Sequence, residues 1–277
     1  MSSASDASGP AVVPSGHTGP TNLQRIWQRL WPPIALLVLA TTAWHLVARA
    51  SGLPPFVLPA PADVAAAGWQ ARALLLAAIR ATMIETVVGL ALAIGLAVAL
   101  AVPIAASPLV RRALYPLLVA SQTVQILAIA PLLIVWFGFG LLPKVLIVVL
   151  ICFFPLAVST ADGLVAADPG HVVLLRGMGA SRWQVLRLVR LPAALPSFYS
   201  GLKVAVTYSV VGATIGEWVG GTEGLGLFML RAKNAFRADW VFAGMLLTSI
   251  LSIGLFAAVA AAERLALPWH HAFRRTR

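Results

Sequence analysis

Long runs of apolar residues, separated by short polar segments, extend along most of this 277-residue chain. Each run has about 20 residues, the length that an α-helix needs to cross a hydrocarbon core of roughly 30 Å. The runs lack the strict alternation of apolar and polar positions that is typical of membrane β-strands. The pattern therefore predicts an all-α integral membrane protein with six transmembrane helices, at residues 31–47, 81–105, 113–137, 145–164, 197–219 and 241–265.

The composition agrees with a membrane protein, because 60% of the residues are hydrophobic and only 10% are charged. Such values exclude a soluble globular domain. Residues 1–22 differ from the rest, since they are rich in Ser, Gly, Pro and Ala and show no periodicity. We expect them to form a disordered N-terminal tail, which leaves residues 23–277 as the transmembrane domain.

The distribution of Lys and Arg predicts the orientation, because short loops rich in these residues stay in the cytoplasm. The segments on one side carry Arg25, Arg29, Arg111, Arg112, Arg176, Arg182, Arg187, Arg190, Arg274, Arg275 and Arg277. The other side carries fewer, mostly in longer segments: Arg49, Arg72, Lys144, Arg231, Lys233 and Arg237. Both termini are therefore expected in the cytoplasm. Topology and lipid contact explain the net charge of +11, and nothing suggests nucleic acid as a partner.

The segment between predicted spans four and five begins with signals for a short helix. Asp168 before Pro169 is typical of a helix N-cap followed by proline at the first helical position. The helix is expected to run toward Arg176 and to end at Gly177 and Gly179, the latter with a backbone conformation that costs any other residue about 1 kcal/mol or more.

A second short helix is expected directly afterwards. Ser181 and Gln184 have the spacing of a capping box, and Pro192 is expected to stop the helix at Leu191. Its apolar residues stand beside arginines, namely Trp183, Leu186 and Val189 with Arg182, Arg187 and Arg190. An amphipathic segment that merely lies on anionic lipid is the simplest interpretation of this pattern.

The spacing of Gly179, Val189, Leu191 and Pro192 resembles the loop signature of permease subunits in bacterial ATP-binding-cassette importers. That signature is Glu-Ala-Ala, three residues, Gly, nine residues, Ile, one residue, Leu-Pro. The resemblance implies that residues 166–192, here named the coupling loop, dock into a separate ATPase subunit and pass its motion to the membrane helices. The implied contact residues are Asp168, Arg176, Gly179, Ala180, Ser181, Arg182, Trp183, Val189, Leu191 and Pro192. The first part of the signature is missing, since Val173, Leu174 and Leu175 stand in place of Glu-Ala-Ala.

Further stretches extend the resemblance over nearly all of residues 53–265. LPPFVLPAPADV, APLLIVWFGFG, FFPLAVSTADGLVAADP and the GLG at 224–226 occur in the same order as similar stretches of the nitrate, sulfonate and taurine importer branch. GEWVGGTEGLG, at 216–226, is similar to permeases for the thiamine pyrimidine precursor, hydroxymethylpyrimidine. The resemblance implies import of a small polar organic solute: that precursor first, with aliphatic sulfonate, taurine or nitrate as the alternative.

The resemblance also implies partners. They are a second copy of the chain in a homodimer, two ATPase subunits that use ATP and Mg²⁺, an extracytoplasmic solute-binding protein and the bilayer of the bacterial cytoplasmic (inner) membrane. The chain has no GxxxxGK[ST] phosphate-binding motif, so we expect it to hold no cofactor and to catalyse no reaction itself. The five histidines and Cys152 lack the spacing of metal ligands, and no metal site is expected.

Four residues are candidates for the solute path or for structural roles at membrane depth, where an ionisable group is costly. Glu217 and Trp218 close predicted span five, where a carboxylate and an indole could receive a polar heterocycle. Gln125 lies within predicted span three and could contact solute or join two helices. Glu85 opens predicted span two, where a position at the membrane interface is the first expectation. Gly220, Gly221, Gly224 and Gly226 favour a tight loop that needs positive φ or close backbone approach.

Two other classes are less compatible with the pattern. A secondary transporter is expected to be longer and to show an inverted repeat, and this chain shows no convincing repeat. A membrane-embedded enzyme needs clustered catalytic side chains at depth, which a single cysteine and scattered histidines do not supply.

Overall fold

The computed structural model describes the backbone of residues 22–268 and the side chains of residues 31–268. Within this range all regular secondary structure is helical. The predicted tail at residues 1–22 lies outside the described residues except for Asn22, which begins the first helix. The helices are α1 (Asn22–Ala50), α2 (Pro61–Gln70), α3 (Arg72–Ala106), α4 (Pro108–Ser121), α5 (Ile126–Phe137), α6 (Leu141–Val165), α7 (Pro169–Gly177), α8 (Arg182–Val185, followed by the π-helical turn Leu186–Arg190), α9 (Leu191–Gly220), α10 (Leu225–Asn234) and α11 (Ala238–Ala266).

The chain divides into two compact units, and the first ends at Leu53. It contains α1, whose segment Trp31–Ala50 is long and apolar enough to cross a membrane and includes the predicted span 31–47. Large side chains such as Leu36 and Leu39 are 70% exposed, as expected of a helix that faces lipid.

The second unit begins at Pro54, and its central pair is α6 and α9. The two helices run antiparallel in close contact, with Gly163 against Ser197 at one end and Gly201 against Ser159 farther along. A Cβ atom on Gly201 would lie 2.6 Å from the Cβ of Ser159, so only glycine allows this approach. Small residues at helix interfaces are the usual basis of packing between membrane helices, because lipid offers no hydrophobic driving force.

Helix α3 packs on the same core through alanines spaced four residues apart. Ala93, Ala97 and Ala101 are all fully buried, since residues four apart share one face of a helix. They belong to one cluster with residues of α6 such as Val148, Cys152 and Leu156. Cys152 is fully buried there, and its thiol donates to the Ala205 carbonyl at 3.2 Å.

The structure supports four or five of the predicted spans by length and composition. Helices α3, α6, α11 and the segment 31–50 of α1 qualify alone, and α4 with α5 qualify as a bent pair. The remaining predicted span, 197–219, lies inside the 30-residue α9, which is long enough but is less apolar because it contains residues such as Lys203, Ser209 and Glu217. The count of six therefore stays a prediction.

The prediction of one continuous helix at 113–137 is wrong. Helices α4 and α5 are separated by residues 122–125 and meet at an angle of 96°. Turn-type bonds close the end of α4, from the Gln122 N–H to the Val119 carbonyl and from the Thr123 N–H to the Ala120 carbonyl. Polar side chains that compete for backbone bonds favour such breaks. Two short helices, α2 and α10, were not predicted, because neither contains a long apolar run.

The prediction that Pro192 stops a short helix is also wrong. The chain passes from α8 through the π-helical turn directly into α9, with the Leu191 N–H bonded to the Leu186 carbonyl five residues back. Proline lacks an N–H and collides with the carbonyl four residues before it in a regular α-helix. The wider turn accommodates proline, so Val189, Leu191 and Pro192 are part of a helix that continues into the membrane bundle.

Candidate functional site

The coupling loop begins with α7, which the sequence predicted. The Asp168 side chain accepts a hydrogen bond from the Gly170 N–H at 2.8 Å, and Pro169 occupies the first helical position. This N-cap satisfies one of the free N–H groups at the start of the helix. His171 lies 3.1 Å from the other Asp168 oxygen, with both side chains exposed. The predicted N-cap is confirmed.

Helix α7 ends in a glycine-dependent reversal. Gly179 has a φ of 82°, and its N–H bonds to the Arg176 carbonyl while the Ala180 N–H bonds to the Leu175 carbonyl. These two bonds form a Schellman motif, which requires a left-handed residue at this position and favours glycine. The expectation of an unusual backbone conformation at Gly179 is confirmed. A Cβ atom there would contact nothing within 4 Å, so the space beside it is open.

The predicted capping box is also present. The Ser181 hydroxyl accepts from the Gln184 N–H at 3.3 Å, and the Gln184 side chain accepts from the Ser181 N–H at 2.7 Å. The box fixes the start of α8 directly after the reversal at Gly179. Helices α7 and α8 therefore form the two arms of one exposed hairpin.

This hairpin exposes large apolar side chains. Val173 is 69% exposed, Leu174 62%, Met178 75% and Trp183 65%. Arg176 and Arg182 are exposed beside them. An exposed apolar patch of this kind is typical of a protein interaction surface. Val173 and Leu174 occupy the place of the missing Glu-Ala-Ala, so this part of the surface is apolar.

Arg190 has a different role from the other arginines of the coupling loop. Its guanidinium donates to the Ala105 carbonyl, in the last turn of α3, where the carbonyls have no donor four residues ahead. A cation at a helix C-terminus also interacts favourably with the helix dipole. Arg190 therefore joins the π-helical turn to α3, a contact between residues 85 positions apart that no local pattern could predict.

At the opposite end of α9, Glu217 is fully buried. One carboxylate oxygen accepts from the Thr82 hydroxyl of α3 and the other from the Gly226 N–H at the start of α10. Thr82 in turn accepts from the Leu225 N–H at 2.9 Å. Glu217 and Thr82 together cap the N-terminus of α10, where a negative charge is favoured.

The glycines of the predicted tight loop make this cap possible. Gly224 has a φ of 121°, and a Cβ atom there would lie 2.1 Å from the carboxyl carbon of Glu217. A Cβ atom on Gly226 would lie 2.5 Å from the Thr214 carbonyl oxygen. The expectation of positive φ or close backbone approach is confirmed at both positions.

A second buried carboxylate, that of Glu85, lies next to this cap and pairs with a lysine. Glu85 is 2% exposed and pairs with Lys144 at 2.6 Å, so its side chain faces protein, and its position at the membrane interface stays a prediction. Lys144 is not a loop charge, because it lies buried in the first turn of α6. Ionisable groups in membrane spans usually pair with one another, and this rule was the signal that could have joined Glu85 to Lys144.

Glu217 and Trp218 do not face the same space. The indole of Trp218 is 48% exposed and lines a cleft of about 860 Å³ between α5, α9, α10 and α11. Glu217 lies on the other side of α9, with both oxygens bonded inside the protein. The structure therefore does not bring this carboxylate and indole together around one cavity.

Gln125 lies at the break between α4 and α5, not inside a continuous helix as predicted. It is the N-cap residue of α5, its side chain makes no capping bond, and it is exposed. No hydrogen bond joins its amide to another helix among the described residues, which argues against the structural interpretation. Its contact with solute stays a prediction.

Comparison with known proteins identifies the family. Residues 91–268 match the family described as binding-protein-dependent transport system inner membrane component. The formylaminopyrimidine transport permease protein ThiX of Halalkalibacterium halodurans is 38% identical over 248 residues, 89% of this chain and 98% of that protein. The riboflavin transport system permease protein RibX of Chloroflexus aurantiacus is 38% identical, covering 90% of this chain and 93% of that one. The taurine transport system permease protein TauC of Escherichia coli is 30% identical, covering 86% and 89%.

A solved structure supports the same fold. An inward-facing conformation of the MetNI methionine ABC transporter matches with a TM-score of 0.63 and 19% sequence identity, covering 71% of this chain and 97% of the matched chain. At that identity the likeness concerns the fold alone. The family match, the relatives and the exposed hairpin at residues 166–190 agree: the chain is a multi-pass membrane protein of the binding-protein-dependent transport family, a permease subunit of an ATP-binding-cassette importer.

Proposed function

We propose that two copies of this permease form the translocation path of an importer for a small heteroaromatic solute, the thiamine pyrimidine precursor. The observation that carries the substrate is the 38% identity to ThiX, a formylaminopyrimidine permease, over 89% of this chain and 98% of ThiX. The RibX permease is equally similar, and its name specifies riboflavin, another nitrogen heterocycle. The chain is thus more similar to two permeases for nitrogen heterocycles than to TauC.

The sulfonate branch is the second candidate, because TauC of Escherichia coli is 30% identical over 86% of this chain. Taurine differs from a pyrimidine in a way that a binding site detects. A sulfonate needs cationic or N–H donors around a charged group, whereas a pyrimidine needs stacking and directed hydrogen bonds. The two candidates therefore predict different ligands for the cognate binding protein.

In the proposed assembly, two ATPase subunits bind the coupling loops and a solute-binding protein docks at the other face of the membrane. Helix α9 has 30 residues and is about 45 Å long, enough to cross the bilayer between the coupling loop and α10. The positive-inside rule supports a cytoplasmic coupling loop, because Arg176, Arg182 and Arg187 lie there. Both termini would then be cytoplasmic.

The mechanism assigns ATP hydrolysis to the partner. Closure of the ATPase dimer around ATP and Mg²⁺ would draw the two coupling loops together, and the permease would change between two rigid-body states. The exposed patch of Val173, Leu174, Met178 and Trp183 supplies the contact. Arg190 and the unbroken helix from α8 to α9 would carry the displacement to α3 and the bundle.

The substrate is tested with the binding protein and the transporter together. Calorimetry should detect binding of formylaminopyrimidine to the cognate binding protein, and an excess of this compound should block uptake of its radiolabelled form by proteoliposomes that hold the full transporter. Taurine at the same excess should have no effect. Tight binding and uptake of taurine, with no response to formylaminopyrimidine, would show that the permease imports a sulfonate and would contradict the pyrimidine proposal.

A further inference from the structure

The break between α4 and α5 borders a cavity of about 510 Å³. Volumes of this size hold small organic ligands in many proteins. The cavity wall comes from the break and from the two central helices, and includes Ser121, Gln122, Ile151, Phe154, Val204 and Tyr208. Gln122, Val204 and Tyr208 in this wall are exposed, so the cavity is a groove beside the break that opens on the surface of the described chain.

The cavity lies near the midpoints of the two central helices. Helix α6 runs from Leu141 to Val165, and the cavity touches its central residues 150–155. Helix α9 runs from Leu191 to Gly220, and the cavity touches residues 204–208, again close to the midpoint. Both helices reach the break at about half their length, and we therefore expect the break to lie within the hydrocarbon region.

Lipid could not satisfy the free backbone groups of this break. The N–H groups of Gln122, Thr123 and Val124 bond to carbonyls of α4, but those of Gln125 and Ile126 find no acceptor among the described residues. Irregular backbone at membrane depth is tolerated only where it is buried in protein or lines a water-filled cavity. The break must therefore face a second protein surface or an aqueous path.

Free polar side chains favour the aqueous path. The Gln122 amide and the Tyr208 hydroxyl line the cavity and have no hydrogen-bond partner within residues 31–268. Gln125 is exposed at the same break. In the larger cleft beside Trp218, hydroxyls such as those of Thr207, Thr214 and Thr248 already donate to carbonyls of their own helices, and the free polar groups there are the Trp218 indole and the Lys233 ammonium. Unpaired amide and hydroxyl groups beside the ring of Phe154 suit a flat, polar heterocycle.

We propose that the cavity at the break between α4 and α5 is the mid-membrane solute-contact site of the permease, where a heteroaromatic solute stacks on Phe154 or Tyr208 and bonds to Gln122. This inference rests on the proposed function for the identity of the solute. The position of the site rests on the break, the cavity and the unpaired polar groups.

The position is tested by cysteine accessibility in the assembled transporter, with Cys152→Ala as the background. We expect Gln122→Cys to react with a charged, water-soluble thiosulfonate reagent at least tenfold faster than Ile250→Cys. Ile250 is a matched control, because it lies near the middle of α11 and is 62% exposed but does not line the cavity. Formylaminopyrimidine should slow labelling of Gln122→Cys and leave Ile250→Cys unchanged.

Each outcome is decisive for one of the two proposals. Equal, slow labelling at both positions, or a disulfide between two copies at residue 122 without labelling from water, would overturn the site. Fast labelling at residue 122 without protection would also overturn it if the same proteoliposomes import formylaminopyrimidine. If they import no formylaminopyrimidine and the binding protein does not bind it, the substrate proposal fails. Protection by the solute that the binding protein does hold would then support the site on its own.

The contact itself is tested by Gln122→Leu and Tyr208→Phe. Each should raise the KM of uptake about tenfold or more, while the binding protein's affinity for the solute is unchanged. An unaltered KM in both variants would contradict the proposal. Ile250→Leu should behave as the unmodified permease.

Discussion

Glu217 stabilises α10 by accepting the N–H at the start of that helix. Its two oxygens receive the Thr82 hydroxyl and the Gly226 N–H, in a fully buried position. The Thr82 hydroxyl has a second acceptor in reach, the Ala78 carbonyl at 3.1 Å, whereas the Gly226 N–H depends on Glu217. A buried donor left without a partner costs about 1–3 kcal/mol, so the chemistry of residue 217 decides whether α10 stays docked.

In Glu217→Gln, an NH₂ group replaces one of the two oxygens that accept hydrogen bonds. A donor then faces a donor, either the Thr82 hydroxyl or the Gly226 N–H. We expect the variant to unfold at a lower temperature and to import more slowly, with a loss of about 1–3 kcal/mol for a buried donor left without a partner. Binding of the ATPase subunit, at the far end of α9, should be unchanged. Thermal unfolding of the purified complex and uptake in proteoliposomes measure both effects.

Glu223→Gln is the matched control, because Glu223 lies in the same loop and is exposed. It should keep the stability and transport of the unmodified permease. Unfolding of Glu217→Gln at the same temperature as the control, with normal uptake, would remove the capping role.

Residue-level expectations succeeded where the signal was local. The Asp168 N-cap and the Ser181–Gln184 capping box are visible in the sequence because both partners stand within three positions. The bond from Thr82 to Glu217 spans 135 positions and that from Lys144 to Glu85 spans 59. Only the packing of three helices, α3, α6 and α9, brings these groups together, so the sequence could indicate that Glu217 is costly without naming its partners.

At the scale of the element, two features fix the geometry of the coupling loop. One is the reversal at Gly179, which orients α7 against α8, and the other is Arg190, which bonds to the end of α3. The sequence predicted the hairpin from caps and glycines. It did not predict the helical continuation, because the effect of Pro192 depends on a π-helical turn that relieves the expected clash.

The reversal predicts the outcome of Gly179→Glu. The left-handed backbone costs a residue with a Cβ about 1 kcal/mol or more, and a carboxylate at the docking surface loses its water when the ATPase binds. We expect normal membrane insertion but loss of the ATPase subunit, or ATP hydrolysis uncoupled from uptake. Co-purification and the ratio of ATP hydrolysed to solute imported measure this.

Gly179→Asn separates the two causes, because asparagine tolerates the left-handed conformation and adds no charge. It should retain the ATPase subunit and most of the coupling. Full stoichiometry and full coupled transport by Gly179→Glu would instead make the hairpin an ordinary segment at the lipid surface.

The bond from Arg190 to the end of α3 predicts a difference between two arginine variants. Arg190→Ala leaves the Ala105 carbonyl without its donor, whereas Arg187 is exposed and has no ion-pair partner among the described residues. We expect Arg190→Ala to lower the ratio of uptake to ATP hydrolysis while the ATPase still binds. Arg187→Ala should change that ratio less. Equal ratios in the two variants would show that Arg190 transmits nothing.

For the molecule as a whole, the fold class followed from the apolar runs because the bilayer leaves the helix as the only simple way to satisfy the backbone. The break between α4 and α5 was not predicted, because the composition of an apolar run does not distinguish a straight span from a bent one. A polar run such as Ser121 to Gln125 was the available signal. Its meaning depends on α6 and α9, which lie beside it in space.

Topology is the whole-molecule property that the charges predict. Single cysteines at Arg111 and Arg182 should react with an impermeant reagent only from the cytoplasmic side, and one at Lys233 only from outside. Labelling of intact cells and of inverted vesicles measures this. Reaction of the cysteine at 182 from outside would reverse the orientation and separate the coupling loop from any cytoplasmic ATPase.

We expect this chain to transport its solute only when a partner subunit hydrolyses ATP, and one reconstitution experiment tests this. Proteoliposomes with the permease, its ATPase and its binding protein should take up labelled formylaminopyrimidine when ATP and Mg²⁺ are supplied to the ATPase. Omission of any one protein should abolish uptake. Uptake by the permease alone, driven by an ion gradient and indifferent to ATP, would contradict the account and identify a secondary transporter.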